Sequence, residues 1–433
     1  MRRSFYYLAM LGAAAGCRAP QLFSPSEPRQ PGQSQPTAFQ DVGTLGAWTQ
    51  ARGLNDAGDV VGSSSGTQYG DYPILSQNGA IEQLEMFANV AEGAMSGRAG
   101  AINQHGTIAG ITGTNGLWFV TLWDSGGART RQTAIGSGQA QWADVVTINA
   151  NGTVLGWWQA APDRVHAVVV RNGSVQTIGQ LSPIAWTEPF GLNGSGQAVG
   201  RSAWAYVPPS DTIPDAPTDS VSQWVIHHPF VWNAAAGTRD LGVFGRTTGC
   251  TRTVRCANGV AVAIDDAGDV VGWSEDSALV PRPFLWRAGA MRELAVFPGK
   301  AAYARAINAS GVIAGDGNGV AFTWTNGTIR NLGSLGGGYT EVTAINDAGD
   351  VAGTALTPSG EQHAFVYTGG RMIDLGLAVP GACAAKATAI NARGDVLIAV
   401  MRQCFKRLED PRLTDFSFVR PQLAVVWRNP AAH

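Results

Sequence analysis

One short motif recurs eight times along this chain of 433 residues, and it constrains the fold more than any other feature. The pattern is Asn-x-x-Gly-x-x-x-Gly after an apolar residue, and its clearest copy starts at Asn346. The eight copies start at Asn55, Asn103, Asn149, Asn193, Asp265, Asn308, Asn346 and Asn391. The last copy keeps Gly394 but has Ile398 in place of its second glycine. A motif repeated at this regular period predicts a fold built from stacked units.

Each unit divides into four short strands. In the seventh unit the predicted strands are Glu341–Ile345, Val351–Ala355, His363–Tyr367 and Met372–Leu375. The first connection has turn residues, because Asn caps a turn with its own side chain and Gly takes a positive φ. Four strands per unit, repeated eight times, predict an all-β fold, a closed eight-bladed β-propeller of four-stranded blades. A seven-bladed ring is the alternative.

The two ends of the repeat region complement each other. The segment Val42–Gly46 resembles a fourth strand with no strands before it, and Ala424–Trp427 resembles a third strand with no fourth strand after it. Pairing the two would complete the last blade and leave no free sheet edge. We therefore expect the N-terminal strand 42–46 to close the ring.

The unit also has a family resemblance. Its Ala-Ile-Asn-x-x-Gly, His-Ala-Phe and Leu-Gly motifs resemble the HAF-repeat family of bacterial extracellular proteins. The tripeptide stands at His363–Phe365, with variants at His166–Val168 and His228–Phe230, and the resemblance extends from about Asp41 to Trp427. It implies export and a propeller fold, and it brings no established activity or catalytic residues.

Two side-chain positions in the third strand repeat as well. We expect a packing or hydrogen-bonding role for the repeat histidines His166, His228 and His363. We expect the aromatic residues of the same strand to pack between blades, and these are Trp123, Trp232, Trp286, Trp324, Tyr367 and Trp427.

The N-terminus has the order of an export signal. Two arginines are followed by an apolar run, Phe5–Gly16, which is too short to span a bilayer but suits a signal peptide. The sequence Ala14–Cys17 resembles a bacterial lipobox, which predicts that Cys17 is lipidated. Cleavage after Ala15 is the alternative. We expect an outer-membrane or cell-surface lipoprotein, or alternatively a secreted or periplasmic protein.

The predicted domain order follows from these signals. Residues 1–17 are the signal peptide, residues 18–39 a Pro/Gln-rich flexible tether, and residues 40–428 the propeller. If Cys17 is lipidated, four cysteines remain, and an even number suits an oxidising compartment. Three pairings are open, of which we favour Cys250–Cys256 and Cys383–Cys404.

The net charge of the chain limits the classes of partner that it can bind. The chain has 30 Lys+Arg and 32 Asp+Glu, a net charge of −2, which excludes a general binder of nucleic acid or of anionic membranes. The acids in Asn55–Asp59 and Asn346–Asp350 suggest a calcium loop, but the other copies lack the alternating oxygen ligands that calcium needs. We predict no cofactor, no metal site and no catalytic residue, a monomer, and membrane contact only through the N-terminal lipid.

Topology predicts where binding would occur. In a four-stranded blade the 1–2 and 3–4 turns lie on one side of the ring, and the 2–3 and 4–1 connections lie on the other. The irregular segments fall in the latter group, and they are Phe87–Gly100, Ala203–Ile226, Phe244–Val260 and Met401–Pro421. Long loops gathered on one face of a rigid scaffold are where binding usually resides.

These segments supply the candidate ligand-binding residues, which are Trp204, Tyr206, Trp224, Arg252, Arg255, Arg402 and Arg407. Aromatic rings with nearby arginines suit a glycan or an acidic protein surface. In the alternative interpretation the aromatic rings only hold their own loops in place. The sequence thus predicts a non-catalytic binding or scaffold module for a glycan or an extracellular protein. The alternative is a polysaccharide lyase or hydrolase with its site on the loop-rich face.

Overall fold

A computed structural model describes most of the repeat region. The described residues are 39–65, 71–86, 95–114, 117–138, 140–161, 164–183, 186–206, 225–248, 255–402 and 423–430. They form 32 β-strands and one short 3-10 helix, Gly136–Gly138. Among these residues, no helix is long and apolar enough to cross a membrane.

The strands follow the eight units in order, and each unit contributes four strands that pair in the order 1-2-3-4. The first strands are β2 (Thr49–Leu54), β6 (Met95–Ile102), β10 (Trp142–Ile148), β14 (Thr187–Leu192), β18 (Gly259–Ile264), β22 (Ala302–Ile307), β26 (Thr340–Ile345) and β30 (Ala384–Ile390). The second strands are β3 (Val60–Ser65), β7 (Ile108–Thr114), β11 (Val154–Ala161), β15 (Ala198–Tyr206), β19 (Val270–Glu275), β23 (Ile313–Gly317), β27 (Val351–Leu356) and β31 (Val396–Met401). The third strands are β4 (Asp71–Gln77), β8 (Leu117–Trp123), β12 (Arg164–Arg171), β16 (Val225–Asn233), β20 (Pro281–Arg287), β24 (Val320–Thr325), β28 (Gln362–Thr368) and β32 (Leu423–Trp427). The fourth strands are β5 (Ala80–Gln83), β9 (Arg129–Ile135), β13 (Ser174–Thr177), β17 (Gly237–Asp240), β21 (Ala290–Glu293), β25 (Thr328–Gly333), β29 (Arg371–Gly376) and β1 (Phe39–Asp41).

In the described part of the chain these strands form seven sheets, six with four strands and one with eight. The larger sheet combines the seventh unit with the last, and the two are joined where Gln362 of β28 pairs in parallel with Ala384 of β30. Each strand predicted for the seventh unit is confirmed to within one residue at either end. The fold is all-β and consists of many four-stranded sheets, as in a β-propeller.

The N-terminal strand lies upstream of the predicted one. Strand β1 pairs with β32 so that Phe39 is opposite Trp427, and the Val42 N–H still donates to the Ala424 carbonyl at 3.0 Å. The expected strand 42–46 is wrong because the chain turns at Gly43, which has a φ of 90° and donates its N–H to the Asp41 carboxylate. Phe39, assigned to the tether, is therefore the first paired residue of the part of the chain that the structure describes.

A β-bulge in every first strand explains the second glycine of the motif. In the seventh unit the register with β27 shifts between Val342 and Ala344. Beside this bulge, a Cβ added to Gly353 would lie 2.3 Å from the Glu341 carbonyl oxygen, too close for any side chain. Five other units have the same close approach, at Gly62, Gly110, Gly200, Gly272 and Gly315. The last unit has Ile398 instead, which is fully buried.

The core lies between consecutive sheets. Ile111 and Val120 of the second unit pack in one cluster with Val145 of the third. The first and last units pack together in the same way, with Val60 in one cluster with Val426. The third-strand aromatics belong to these clusters or pack against them, so their predicted packing role is confirmed; they are Trp123, Trp232, Trp286, Trp324, Tyr367 and Trp427.

Candidate functional site

One side of the sheets, here called the turn side, carries the Asn-x-x-Gly turns. At all eight motif starts, side-chain Oδ1 accepts the backbone N–H four residues later, at 2.8–3.0 Å. The glycine three residues later has a φ between 73° and 87° in every copy. The predicted turn chemistry is confirmed. In the described residues no group of three or more His, Cys, Asp or Glu could hold a metal ion.

The same asparagines connect neighbouring units on the turn side. In six of the eight units, Nδ2 donates to the backbone carbonyl of the next motif start, at 2.9–3.1 Å. These bonds are Asn103 to Asn149, Asn149 to Asn193, Asn193 to Asp265, Asn308 to Asn346, Asn346 to Asn391 and Asn391 to Asn55. Asp265 has no amide to donate. Its burial and the nearby Asp269 carboxylate raise its pKa above the ordinary value for Asp.

The opposite side, here called the loop side, carries the 2–3 and 4–1 connections. Trp204 was expected in a loop there, but it lies near the end of β15, which continues to Tyr206. The register between β15 and β16 shifts between Ala203 and Ala205, so Trp204 is the extra residue of a bulge. Its side chain is 37% exposed.

Trp204 is held on a rigid support. Its ring stacks on the imidazole of His228 with centroids 4.5 Å apart and an interplanar angle of 5°. His228 is itself 2% exposed, and its Nδ1 lies 2.9 Å from the Asp240 carboxylate. In the seventh unit His363 pairs with Asp374 in the same way, at 3.0 Å. The predicted role of these repeat histidines in packing and hydrogen bonding is confirmed.

Of the other predicted ligand-binding residues, Arg255 and Arg402 have described side chains. Arg255 is 66% exposed and lies 3.9 Å from the Glu275 carboxylate. Arg402 is exposed just after the end of β31. The remaining predicted residues lie outside the described part of the chain, and they are Trp224, Arg252, Arg407, Cys17, Cys250 and Cys404.

The first strands carry polar residues that the motif alone did not reveal. The position five residues before each motif start is half-buried in seven units, whereas the residues on either side of it are buried. We call these seven residues the inner ring: Gln50, Arg98, Asp144, Glu188, Tyr303, Glu341 and Lys386. These residues could have been identified in the sequence, because each stands five positions before a motif start.

The side chains of the inner ring extend toward other units. Lys386 of the last unit lies 3.2 Å from Glu341 of the seventh. Arg52 of the first unit reaches Asp144 of the third at 2.7 Å, past the unit between them. These ion pairs show that first strands of different units lie within side-chain reach of one another.

Titratable groups meet at the loop-side ends of the first strands. The Tyr339 hydroxyl donates to the Glu341 carboxylate at 3.2 Å. Burial, followed by the charge of Glu341, raises the pKa of Tyr339 above the ordinary value for Tyr, so its hydroxyl stays protonated. Burial also raises the pKa of Asp316, although Arg305 opposes that shift from 2.8 Å. The arrangement brings hydrogen-bond donors and acceptors of the sixth and seventh units to the loop side.

A second buried group lies beside the inner ring in the fourth unit. Burial, with a contribution from the Arg201 charge, lowers the pKa of His227 to about 4. The imidazole is therefore neutral at physiological pH. Its ring meets that of Trp186 edge-on, with centroids 6.1 Å apart.

Comparisons with solved structures find similarity to β-propeller and other proteins at low identity. The β-propeller domain of the Trilobed protease from Pyrococcus furiosus is 8% identical with a TM-score of 0.41, over 76% of this chain and 98% of that one. TolB from Acinetobacter baumannii is 9% identical with a TM-score of 0.33, over 88% and 79% of the two chains. A lectin from Aleuria aurantia is 12% identical with a TM-score of 0.32, over 62% and 89%. No family model matches the sequence, and no curated protein matches it. At these identities the similarities concern the fold alone.

Proposed function

We propose that this chain is a closed ring of eight blades, of the HAF-repeat type, that is exported and anchored through a lipid on Cys17. It acts there as a non-catalytic binding or scaffold module for a glycan or a protein partner. The partner binds on the loop side. The observation that carries this proposal is Trp204, an exposed indole held flat on a buried imidazole.

Contacts between the first and last units support closure. The Asn391 side chain donates to the Asn55 carbonyl at 3.0 Å, and the Ala392 N–H donates to the Asp56 carboxylate at 2.7 Å. Strands β30 and β2 are in contact, as are the first strands of consecutive units elsewhere. Counting the larger sheet as two units of four strands gives eight blades.

The division between the two sides supports loop-side binding. On the turn side, the polar groups of the repeats are used in caps and in bonds between units, so a ligand would compete with structural contacts. On the loop side, Trp204 presents exposed aromatic surface whose orientation is already fixed. A preorganised ring costs less conformational entropy on binding than a mobile one.

Cysteine positions support an oxidising compartment. Cys256 is buried beside Ile226, six residues after Cys250 in the sequence. The Cys383 N–H donates to the Met401 carbonyl at 2.8 Å, which places Cys383 near the segment that leads to Cys404. We propose the pairs Cys250–Cys256 and Cys383–Cys404, and peptide mapping under non-reducing conditions tests them. Labelling with a palmitate analogue, compared between wild type and Cys17→Ser, tests the lipid anchor.

A screen of glycans and polysaccharides that records both binding and product release tests the proposed function. Trp204→Ala should weaken binding to any partner found by about tenfold or more, as loss of an aromatic anchor does. Ile329→Ala is the matched control, because Ile329 has the same 37% exposure but lies beside a 3–4 turn. Equal binding by Trp204→Ala and wild type would refute the role of Trp204. A melting temperature several degrees lower would show that the ring is part of the core.

The enzymatic alternative has one specific observation in its favour. Tyr339, Glu341 and Lys386 bring a proton donor, a carboxylate and an ammonium group together at the loop-side end of the inner ring. In a lyase or hydrolase, Glu341 would be the base and Tyr339 the acid. Release of shortened or unsaturated sugars by wild type, abolished in Glu341→Gln, would favour this alternative over the binding module.

A further inference from the structure

The charges around the inner ring are paired one to one in three places. Arg201 lies 2.7 Å from Glu188. In addition, Arg305 lies 2.8 Å from Asp316 and Lys386 lies 3.2 Å from Glu341. Each pair is electrically neutral, so these parts of the ring have no surplus charge for a ligand.

The first three units differ, because two guanidinium groups share one carboxylate. Asp144 binds Arg52 closely, at 2.7 Å, while Arg98 is 3.9 Å from the same oxygen. The close acceptor of Arg98 is instead the neutral carbonyl of Ala143, at 3.0 Å. Arg98 is 20% exposed and Arg52 is 25% exposed. Among the described residues, one positive charge therefore remains without its own carboxylate, and it is accessible to solvent.

Exposed aromatic surface adjoins this site, because the Ala143 carbonyl that accepts from Arg98 directly follows Trp142 in β10. Trp142, two residues before Asp144 on β10, is 42% exposed. Its ring centroid lies 6.5 Å from that of Trp118 on β8, and the two planes are tilted by 31°. Leu117, which precedes Trp118, is 47% exposed. Leu117 and Trp142 are the two most exposed large apolar side chains among the described residues.

We propose that Arg52, Arg98, Trp118, Trp142 and Asp144, here called the rim cluster, bind an acidic polysaccharide at its uronic acid residues. The sugar ring packs with its C–H face on Trp142, and its carboxylate pairs with Arg98. This inference rests on the proposed binding function and names a substrate class for it. It uses none of the residues expected from the sequence to contact a ligand.

The chemistry favours a uronate over a neutral sugar or an acidic peptide. A guanidinium group recognises a carboxylate through two parallel N–H donors, which adds geometric specificity to the charge. Flat aromatic rings suit the rigid C–H face of a pyranose, because such a face is buried without ordering a flexible side chain. An acidic peptide would satisfy the arginine but would leave the exposed indole without a flat partner.

Calorimetric titration of the mature chain with an oligomer of α-1,4-linked galacturonic acid tests the proposal. The fully methyl-esterified oligomer is the matched neutral probe, since it has the same backbone without the charge. The acid should bind about tenfold or more tightly than the ester, the difference expected for a hydrogen bond to a charged group. Added salt should weaken binding of the acid only.

Variants separate the two parts of the rim cluster. Arg98→Gln should abolish the preference for the acid, Arg98→Lys should keep part of it, and Trp142→Ala should weaken binding of both oligomers. Arg171→Gln, an exposed arginine next to a 3–4 turn, is the control and should change nothing. Circular dichroism and the melting temperature confirm that each variant is folded.

Three results would overturn the proposal. They are equal binding of acid and ester, an unchanged preference in Arg98→Gln, and equally tight binding of poly-glutamate, which would indicate an acidic protein partner instead. If another partner binds through Trp204 while both oligomers fail to bind, the rim cluster assignment is wrong and the proposed function stands. If no partner binds at all, the proposed function fails as well.

Discussion

Replacing Asp265 by asparagine should stabilise the protein, because it restores a bond that the repeat makes elsewhere. In six units an asparagine amide donates to the next motif start, whereas Asp265 keeps only the cap, accepting the Asp269 N–H at 2.9 Å. In Asp265→Asn, Oδ1 retains that cap and the new Nδ2 can reach the Asn308 carbonyl. The variant also removes a partly buried charge that the Asp269 carboxylate repels.

The size of the effect follows from these two changes. One amide–carbonyl hydrogen bond contributes about 1 kcal/mol net. Removing the repulsion between the Asp265 and Asp269 carboxylates adds a smaller gain in stability. This gain is offset in part by the lost attraction between Asp265 and Arg287, which is weak because Arg287 is 50% exposed and its charge is screened by solvent. We expect a gain of about 1–2 kcal/mol at neutral pH. For the 328 described residues, an unfolding entropy of about 2.1 cal/mol/K per residue converts this gain into roughly 1.5–3 °C.

Urea unfolding as a function of pH measures the effect. Because the folded-state pKa of Asp265 is raised, its neutral form stabilises the fold at low pH, and that stability is lost as pH rises through the folded pKa. The advantage of Asp265→Asn should therefore be largest near pH 7 and should shrink in acid, where protonated Asp265 can donate to the same carbonyl. Asn308→Asp is the reverse control and should destabilise at pH 7. If Asp265→Asn has no effect or destabilises the protein, and if its difference in stability from wild type does not change with pH, the proposed role of the Asn amide bonds between units is refuted.

Three further predictions test the account of the fold. The pKa of His227 is lowered to about 4, so its contribution to the free energy of unfolding should be fully present above pH 6.5 and should fall by about 3 kcal/mol as pH drops through 4. His227→Gln should flatten this part of the stability profile measured by urea unfolding. An unchanged profile would show that the imidazole is hydrated. Gly353→Ala should lower the free energy of unfolding by about 3 kcal/mol or more, because the added methyl group collides with a carbonyl. Gly126→Ala should lower it little, since the nearest atom to the added Cβ lies 3.5 Å away. Equal losses in thermal unfolding would contradict the bulge explanation. Arg428→Ala should accelerate amide hydrogen exchange in β1, because Arg428 donates to the Gln40 side chain at 2.9 Å; exchange at the wild-type rate would mean that backbone pairing alone holds the strand.

The repeat made most of the fold predictable. Regular spacing of Asn and Gly defined the units, and turn chemistry located the strands of the seventh unit to within one residue. The end of the chain was predicted less well. Val42–Gly46 resembles a fourth strand in composition, but the choice of paired residues depends on Gly43 and on contacts with β32 that are distant in sequence.

The candidate site was less predictable than the fold. Trp204 was predicted because it is an aromatic residue in the irregular segment Ala203–Ile226, but its position in a bulge on β15 depends on pairing with β16. The pairing of Arg52 with Asp144 joins residues that are 92 positions apart, and no local pattern indicates such a partner. Contacts between side chains of different units depend on how the strands pack together, and the repeat spacing alone does not position them.

The closed ring is tested most directly by an experimental structure of the mature chain, in which one distance decides the question. A ring of eight four-stranded blades places Asn391 Nδ2 about 3 Å from the Asn55 carbonyl oxygen, within ordinary hydrogen-bond range, with β1 paired to β32. A ring of seven sheets, or a gap that separates β30 from β2 and leaves these two atoms without contact, would contradict it.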